Sequence, residues 1–284
     1  MTKLDHDNAE PEKPIPEGVG QQDNAVRWRV AGLRQAVEGA AGYHQGLALE
    51  PAELDRVRKL ISRQWLSRLR ERTPQQAAAF GAVGIAGYHQ VRPLVDHAAL
   101  WPKAVRILPR EAVAEIRQMS LFRRLEQAWG AFAISDEENV GSEEIYWRIV
   151  RPDEPADVGP LHADCWFWEL GHGNTPSGVD RVKVWIGVYC EPERNGLRIV
   201  PGSHLHNWRY HGVTGPNGMV KPQIDEDENV LRPQLVPLQP GEAIVFHDRL
   251  LHGGAVNRGD RTRVSIEFTM LVSRENASSQ TRLA

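Results

Sequence analysis

Apolar positions along this chain follow two periods, and the change between them divides the sequence. After Glu50-Pro51, residues Leu54, Val57, Leu60, Ile61, Trp65 and Leu69 recur at three- and four-residue steps. That spacing predicts a helix with one apolar stripe, opened by a first-turn proline. Thr73-Pro74 has the form of a cap before a first-turn proline and predicts a second, short helix. Pro109 opens a further helical stretch carrying Val113, Ile116, Met119, Phe122, Leu125 and Trp129. Residues 25 to 142 thus read as mainly helical. Ahead of them, residues 1 to 24 are charged and Pro-rich without periodic apolar positions, and predict a disordered tail.

Near residue 143 the period shortens to two. Ile145 to Arg151 is rich in β-branched and aromatic residues and predicts a strand. In Arg181 to Cys190, Val182, Val184, Ile186 and Val188 alternate with Arg181, Lys183, Trp185 and Tyr189. One face is apolar and the other cationic and aromatic, as in a barrel wall around a polar cavity. Asn195-Gly196 is a hairpin signal before Leu197 to Val200, and Pro201-Gly202 a tight turn. Further strands are predicted at Leu235 to Leu238, Glu242 to His247 and Arg263 to Met270. Gly171 to Asp180 and residues 207 to 232 read as loops, the first with the composition of a mobile lid. Helices followed by many short strands predict a mainly β fold, a double-sheet barrel with flanking helices. The chain from 25 to 284 reads as a single domain, with its β core over 143 to 275.

Composition narrows the function classes. The 284 residues carry a net charge of −3, so no basic field points to nucleic acid. No apolar run is long enough to cross a membrane, and the N-terminal stretch is not a signal peptide. Cys165 and Cys190 stand in no metal or redox spacing and read as buried free thiols in a reducing cytoplasm.

The candidate chemistry lies in Leu161-His162-Ala163-Asp164-Cys165-Trp166. On a strand, His162 and Asp164 would share one face, with Ala163 facing away. His252, followed by Gly253-Gly254, is favoured as a third ligand. His247 is the rival. Two imidazoles and one carboxylate hold a divalent iron on one side and leave the other side open. His172, His204, His206 and His211 lie in loops, where structural or surface histidines are the default.

Three stretches in this order resemble the phytanoyl-CoA dioxygenase family of non-haem iron(II), 2-oxoglutarate-dependent oxygenases. They are Leu161-His162-Ala163-Asp164, Gly196 to His204, and Gly241 to Arg263. The resemblance implies a double-stranded β-helix, the cupin-like jelly-roll, with Fe(II), 2-oxoglutarate and O2 as cofactor and cosubstrates. His162, Asp164 and His252 match the metal ligands. Arg263 matches the arginine that grips the distal carboxylate of 2-oxoglutarate, with Ser265 adding a hydroxyl and Arg261 as rival. Trp185 matches a tryptophan beside the cosubstrate. Asp164 argues against halogenating relatives, where a small residue leaves room for halide.

The resemblance leaves the substrate open. Trp166, Trp168, Lys183 and Arg148 are candidates to line a polar, aromatic pocket. They point to hydroxylation of a small polar molecule, with an acidic sugar of the bacterial envelope, such as a Kdo-type sugar of lipopolysaccharide, as the specific expectation. The competing readings are a non-redox, metal-dependent cupin-like enzyme and a non-catalytic sugar-binding jelly-roll.

Overall fold

The computed structural model describes residues 32–215 and 218–274. The expected tail over residues 1–24 lies outside them. The chain enters strand β1 (Tyr43–Ala48) and then the long helix Pro51–Arg72. A capping box at Glu50 and Glu53 closes the helix start, with Pro51 at its first position. The predicted stripe is buried: Leu54, Val57, Leu60, Ile61, Trp65 and Leu69. Thr73 ends this helix instead of starting the next. Its N–H and its hydroxyl both donate to Leu69 O, at 2.8 and 2.9 Å. A residue before proline resists the helical conformation, so Thr73 suits a terminus. The short helix begins later, at Ala77–Val83.

The stretch after Pro109 is two helices, Arg110–Ile116 and Ser120–Trp129. The break has a cause in the long helix. The Glu53 carboxylate accepts from Ser120 N at 2.6 Å and Ser120 Oγ at 2.7 Å, docking the second helix start against it. The mainly helical half also yields strands the periodicity missed, β1 and β2 (Phe132–Ile134). β2 has three residues and β1 contains Gly46, so neither presents a clear alternation.

The remaining strands are β3 (Tyr146–Val150), β4 (Val179–Tyr189), β5 (Leu197–Ile199), β6 (Tyr210–Thr214), β7 (Val220–Ile224), β8 (Gln234–Leu235), β9 (Glu242–His247), β10 (His252–Gly254) and β11 (Arg263–Ser273). The six-stranded antiparallel sheet runs β1-β9-β4-β11-β2, with β3 also paired to β11. A three-stranded sheet runs β10-β5-β8. β6 and β7 form a hairpin inside the predicted 207–232 loop, and a short helix, Glu228–Leu231, follows it. β8 is shorter than predicted because Pro237 has no N–H for a ladder.

The six-stranded sheet has two different faces. Val182, Val184, Ile186, Val188, Val264, Ile266 and Phe268 pack against the helices, with Phe122 stacked on Phe268 at 5.0 Å. On the other face Trp185, Ile244 and Phe246 meet Leu197, Ile199, Val236 and Leu238 of the smaller sheet's side. Each such fully buried large side chain contributes about 1.5–3 kcal/mol. That inner face is only half apolar. Lys183, Arg263, Ser265, Glu267 and Thr269 are also buried on it.

Candidate active site

His162 and Asp164 converge, but not along a strand. His162 forms an isolated antiparallel bridge to His252, each N–H donating to the other's C=O at 2.9 Å. Asp164 is the first residue of the helix Asp164–Glu169, after the extended Ala163. The strand assumed beneath His162 and Asp164 thus gives way to a helix start at Asp164. The bridge places the two imidazoles side by side, ring centroids 4.5 Å apart and planes tilted by 55°. The turn into the helix swings the carboxylate between them. Asp164 Oδ1 lies 3.8 Å from His162 Nε2 and 3.6 Å from His252 Nε2.

Among the described residues this is the one group of three or more such side chains whose ligand atoms gather, all within 4.8 Å of one another. The imidazoles are oriented from behind. His162 Nδ1 donates to Pro160 O at 3.0 Å, and His252 Nδ1 to Leu250 O at 2.9 Å. A carbonyl only accepts, so each Nδ1 carries the proton and each Nε2 presents a lone pair. Burial, and then the neighbouring His252, push His162 down to about 4, which keeps it neutral near pH 7. Two imidazoles and a carboxylate fit iron(II), with the remaining positions open.

A second feature lies on β11, where Arg263 Nη2 comes up against Gly254, two residues on from His252. Arg263 is 1% exposed. Its Nη1 donates to Gly196 O at 2.8 Å. Its Nε and Nη2, and Ser265 Oγ, are buried and make no hydrogen bond among the described residues. Burial, and then Arg148, lower the Arg263 pKa to about 10, so the guanidinium stays charged at neutral pH. Each orphaned buried donor costs about 1–3 kcal/mol. A carboxylate accepting from Nε, Nη2 and the Ser265 hydroxyl would remove that cost. Trp185 forms the wall, its ring 5.6 Å from Arg263 Cζ. The donor set fits the distal carboxylate of 2-oxoglutarate.

A model of the phytanoyl-CoA dioxygenase (PhyH) family matches residues 38–265. The chain belongs to this family. The peroxisomal phytanoyl-CoA dioxygenases of Mus musculus and Homo sapiens are each 30% identical to it over 129 residues, 41% of this chain. That match spans only 36% of those relatives' own length. The EvdO2 protein of Micromonospora carbonacea var. aurantiaca, solved with 2-oxoglutarate, superposes with a TM-score of 0.53 at 15% identity, covering 85% of this chain and 90% of that one. The apo form of ThoJ, a non-heme monooxygenase, gives 0.51 at 16%, covering 86% and 77%. At these identities the likeness is one of fold, a cupin-type antiparallel sheet with several helices.

The rivals in this PhyH-family chain sit elsewhere. His247 turns towards His204, ring centroids 5.2 Å apart, and its Nδ1 accepts from Arg249 N. Arg261 is exposed. His172 bonds Val220 O at 2.7 Å, and His211 pairs with Asp225. His204, for which a structural or surface place was the default, is buried. It fits only because Gly42, at φ +81°, has no Cβ to strike its ring. Cys165 is buried, whereas Cys190 is only partly so, and neither is in a disulfide.

The four substrate candidates separate. Lys183 and Arg148 reach the cavity, each already paired: Lys183 Nζ lies 3.5 Å from Asp164 Oδ2, and Arg148 Nε 3.1 Å from Glu267 Oε1. Burial opposes the Glu267 charge, but Arg148 and Lys183 outweigh it and hold the carboxyl far below its usual range. Trp166 packs into a small core with Ala163, Cys165, Ile224 and Leu251, stacked on Tyr210 at 4.5 Å. Trp168 lies under the Arg181 guanidinium, which is bound to Asp248. Two aromatic rings flank the triad: Phe246, 4.6 Å from the His252 ring, and Phe167, edge-on to His162 at 5.3 Å. Sequence reasoning places Phe167 only loosely, with Trp166, Trp168 and His172, where a lid or substrate wall would be. Helical spacing from Asp164 is the signal that finds it, because i and i+3 share a face.

Proposed function

We propose that this chain is an iron(II)- and 2-oxoglutarate-dependent dioxygenase that hydroxylates a small polar molecule. The observation that carries the reading is the set of buried atoms without a hydrogen bond among the described residues, Arg263 Nε and Nη2 and Ser265 Oγ, together with the His162–Asp164–His252 group. A non-redox metal site has no use for that second anion site. Neither has a sugar-binding module. We further propose a single oxygenase domain from 25 to 284, with a double-stranded β-helix core over 143 to 275 to which β1 and β2 add edge strands from the helical half. Two cysteines outside any disulfide suit a cytoplasmic location.

Iron(II), when bound, supplies the oxygen activation that couples decarboxylation of 2-oxoglutarate to hydroxylation of the substrate. The chain supplies the rest. His162, Asp164 and His252 would hold the ion, with both Nδ1 protons fixed on backbone carbonyls. Arg263 and Ser265 would hold the far carboxylate of the cosubstrate, and Trp185 its flank. This fixes the keto-acid end at a constant distance from the ligands. The burial of Trp185, Phe246 and Leu197 excludes water from that end of the cavity.

The substrate reading favours polar compounds, since charged side chains line this part of the cavity. An acidic sugar of bacterial-envelope type is the first class to test. Glu267 takes only Nε of Arg148, whose side chain keeps 36% exposure for a second anion. The test is a metabolite screen that follows succinate formed by the iron-loaded protein, with acidic sugars, neutral polar molecules and acyl-CoA thioesters in parallel. Stimulation by a polar compound supports the reading. Stimulation by acyl-CoA alone overturns the substrate class, and failure to bind either metal or 2-oxoglutarate overturns the reaction.

A further inference from the structure

The two oxygens of Asp164 have different surroundings. Oδ1 faces both histidine Nε2 atoms, at 3.8 and 3.6 Å. Oδ2 is buried, makes no hydrogen bond among the described residues, and lies 3.5 Å from Lys183 Nζ. Lys183 is 2% exposed and stands on the inner face of β4. Thr269 Oγ1 is equally near at 3.5 Å but neutral, and Glu137 Oε1 is farther at 3.8 Å, so Asp164 is the nearest carboxylate to this ammonium. Glu137 has nearer partners of its own, accepting from Thr269 Oγ1 at 2.8 Å and Lys103 Nζ at 3.1 Å.

We propose that Lys183 is a positioning residue whose ammonium holds Oδ2 of Asp164, so that the carboxylate offers a metal one oxygen and not two. The inference rests on the proposed metal- and 2-oxoglutarate-binding reading of this site. Its physical basis is competition for one carboxylate. A carboxylate can bind a divalent ion through one oxygen or both, and the choice depends on what else claims the second oxygen. With Lys183 in place, the second oxygen is held by a buried cation. Without it, that oxygen is free to swing onto the ion and take a position that the keto-acid end of the cosubstrate requires.

Plain charge repulsion makes a different forecast. Lys183 is a fixed cation near a dication, and Coulomb repulsion alone would make its removal tighten metal binding without altering the ligand set. The two effects separate in the visible spectrum of bound Co(II), which reports the number and arrangement of ligands.

The experiment loads the full chain with Co(II), records that spectrum without cosubstrate, and then titrates 2-oxoglutarate. In folded Lys183→Met, the Co(II) spectrum should change and 2-oxoglutarate affinity should fall at least about tenfold, the lower end for loss of an outer partner. Lys183→Arg should keep both close to wild type. Glu137→Gln, which removes the other carboxylate near Lys183, should also leave the spectrum unchanged. An unaltered spectrum in folded Lys183→Met overturns the proposal whatever happens to 2-oxoglutarate. So does an altered spectrum in Glu137→Gln, since the contact with Asp164 would then not be what sets the geometry. If Lys183→Met does not fold, the Lys183→Arg and Glu137→Gln spectra decide: wild-type spectra support the proposal, and a change in either overturns it. Failure of the wild-type chain to bind Co(II) or 2-oxoglutarate would overturn the proposed function as well. A normal wild type with an unaltered Lys183→Met overturns the positioning role alone.

Discussion

The Glu267 carboxylate lies 3.1 Å from Arg148 Nε, and that pairing leaves Arg263, on the same face of β11, without an anion. Glu267 was the internal partner that could have made Arg263 purely structural. Register explains the outcome. β3 runs beside this end of β11, with Arg148 opposite Ser265 and Tyr146 opposite Glu267. Arg148 therefore reaches Glu267 diagonally across the strands. Removing Arg148 should leave a buried carboxylate unpaired. Arg148→Met is expected to lower stability by about 1–3 kcal/mol, discounted from the cost of breaking a fully buried pair because Arg148 is partly exposed. Arg148→Met combined with Glu267→Leu should recover most of it. Urea unfolding of both variants measures this, and an additive double variant would contradict the pairing.

The ligand assignment separates His252 from His247. His162→Ala, Asp164→Ala and His252→Ala should each weaken Co(II) binding by more than about 100-fold, beyond the 10–100-fold typical of outer partners. His247→Ala should leave it within about threefold, because that ring faces His204 and Arg249 N. Titration of the apoprotein variants checks both. Retained binding in His252→Ala would refute the assignment.

Trp166 is expected to matter for stability and Phe167 for turnover. Trp166→Ala removes a ring stacked on Tyr210 and should cost about 3–5 kcal/mol. Phe167→Ala opens space beside His162 and should alter succinate formation per turnover with a smaller loss of stability. Thermal melts and rates on both proteins test the split. Equal stability losses with unchanged rates would contradict it.

Glu144 gives a pH signature away from the site. Burial pushes its carboxyl up to about 7. A raised folded pKa means that the native state binds a proton the unfolded chain has released. Stability from this residue is therefore present near pH 4.5 and lost as pH rises through about 7. Glu144→Gln, a mimic of the protonated form, should raise the melting temperature at pH 8 and leave it nearly unchanged at pH 5. Melts at the two pH values measure this. An equal shift at both would show that the carboxyl does not titrate there.

Much of this was legible in the sequence, for identifiable reasons. The β4 and β11 alternation named both faces for Val182 to Ile186, because a period of two fixes the side of each residue, but Tyr189 packs with the helix-side core beyond a ladder irregularity between Val264 and Ser265. The helix at Pro51–Arg72 was legible because its stripe and its start signal agree. β1, β2 and the β6–β7 hairpin were not, since short strands with glycine or little apolar alternation resemble loops. At the site, His162, Asp164 and His252 were found as types and spacing, but the strand assumed beneath them was wrong. A bridge followed by a helix start brings the groups together just as well, and only the second arrangement puts Phe167 beside His162 and turns Trp166 away. The pairing of Lys183 with Asp164 was illegible, since it joins residues on different elements by side-chain reach.

The central claim is that Arg263 anchors 2-oxoglutarate beside the His162–Asp164–His252 group. Its most direct test is the 2-oxoglutarate dependence of succinate formation by the iron(II)-loaded wild-type, Arg263→Ala and Arg261→Ala proteins, with metal affinity measured alongside. Loss of one partner of a charge-assisted bidentate pair costs roughly 2–5 kcal/mol. The half-saturating 2-oxoglutarate concentration should therefore rise by about 30-fold or more in Arg263→Ala. Metal affinity should stay near wild type, and Arg261→Ala should change little. A folded Arg263→Ala protein with unchanged 2-oxoglutarate dependence would contradict the account.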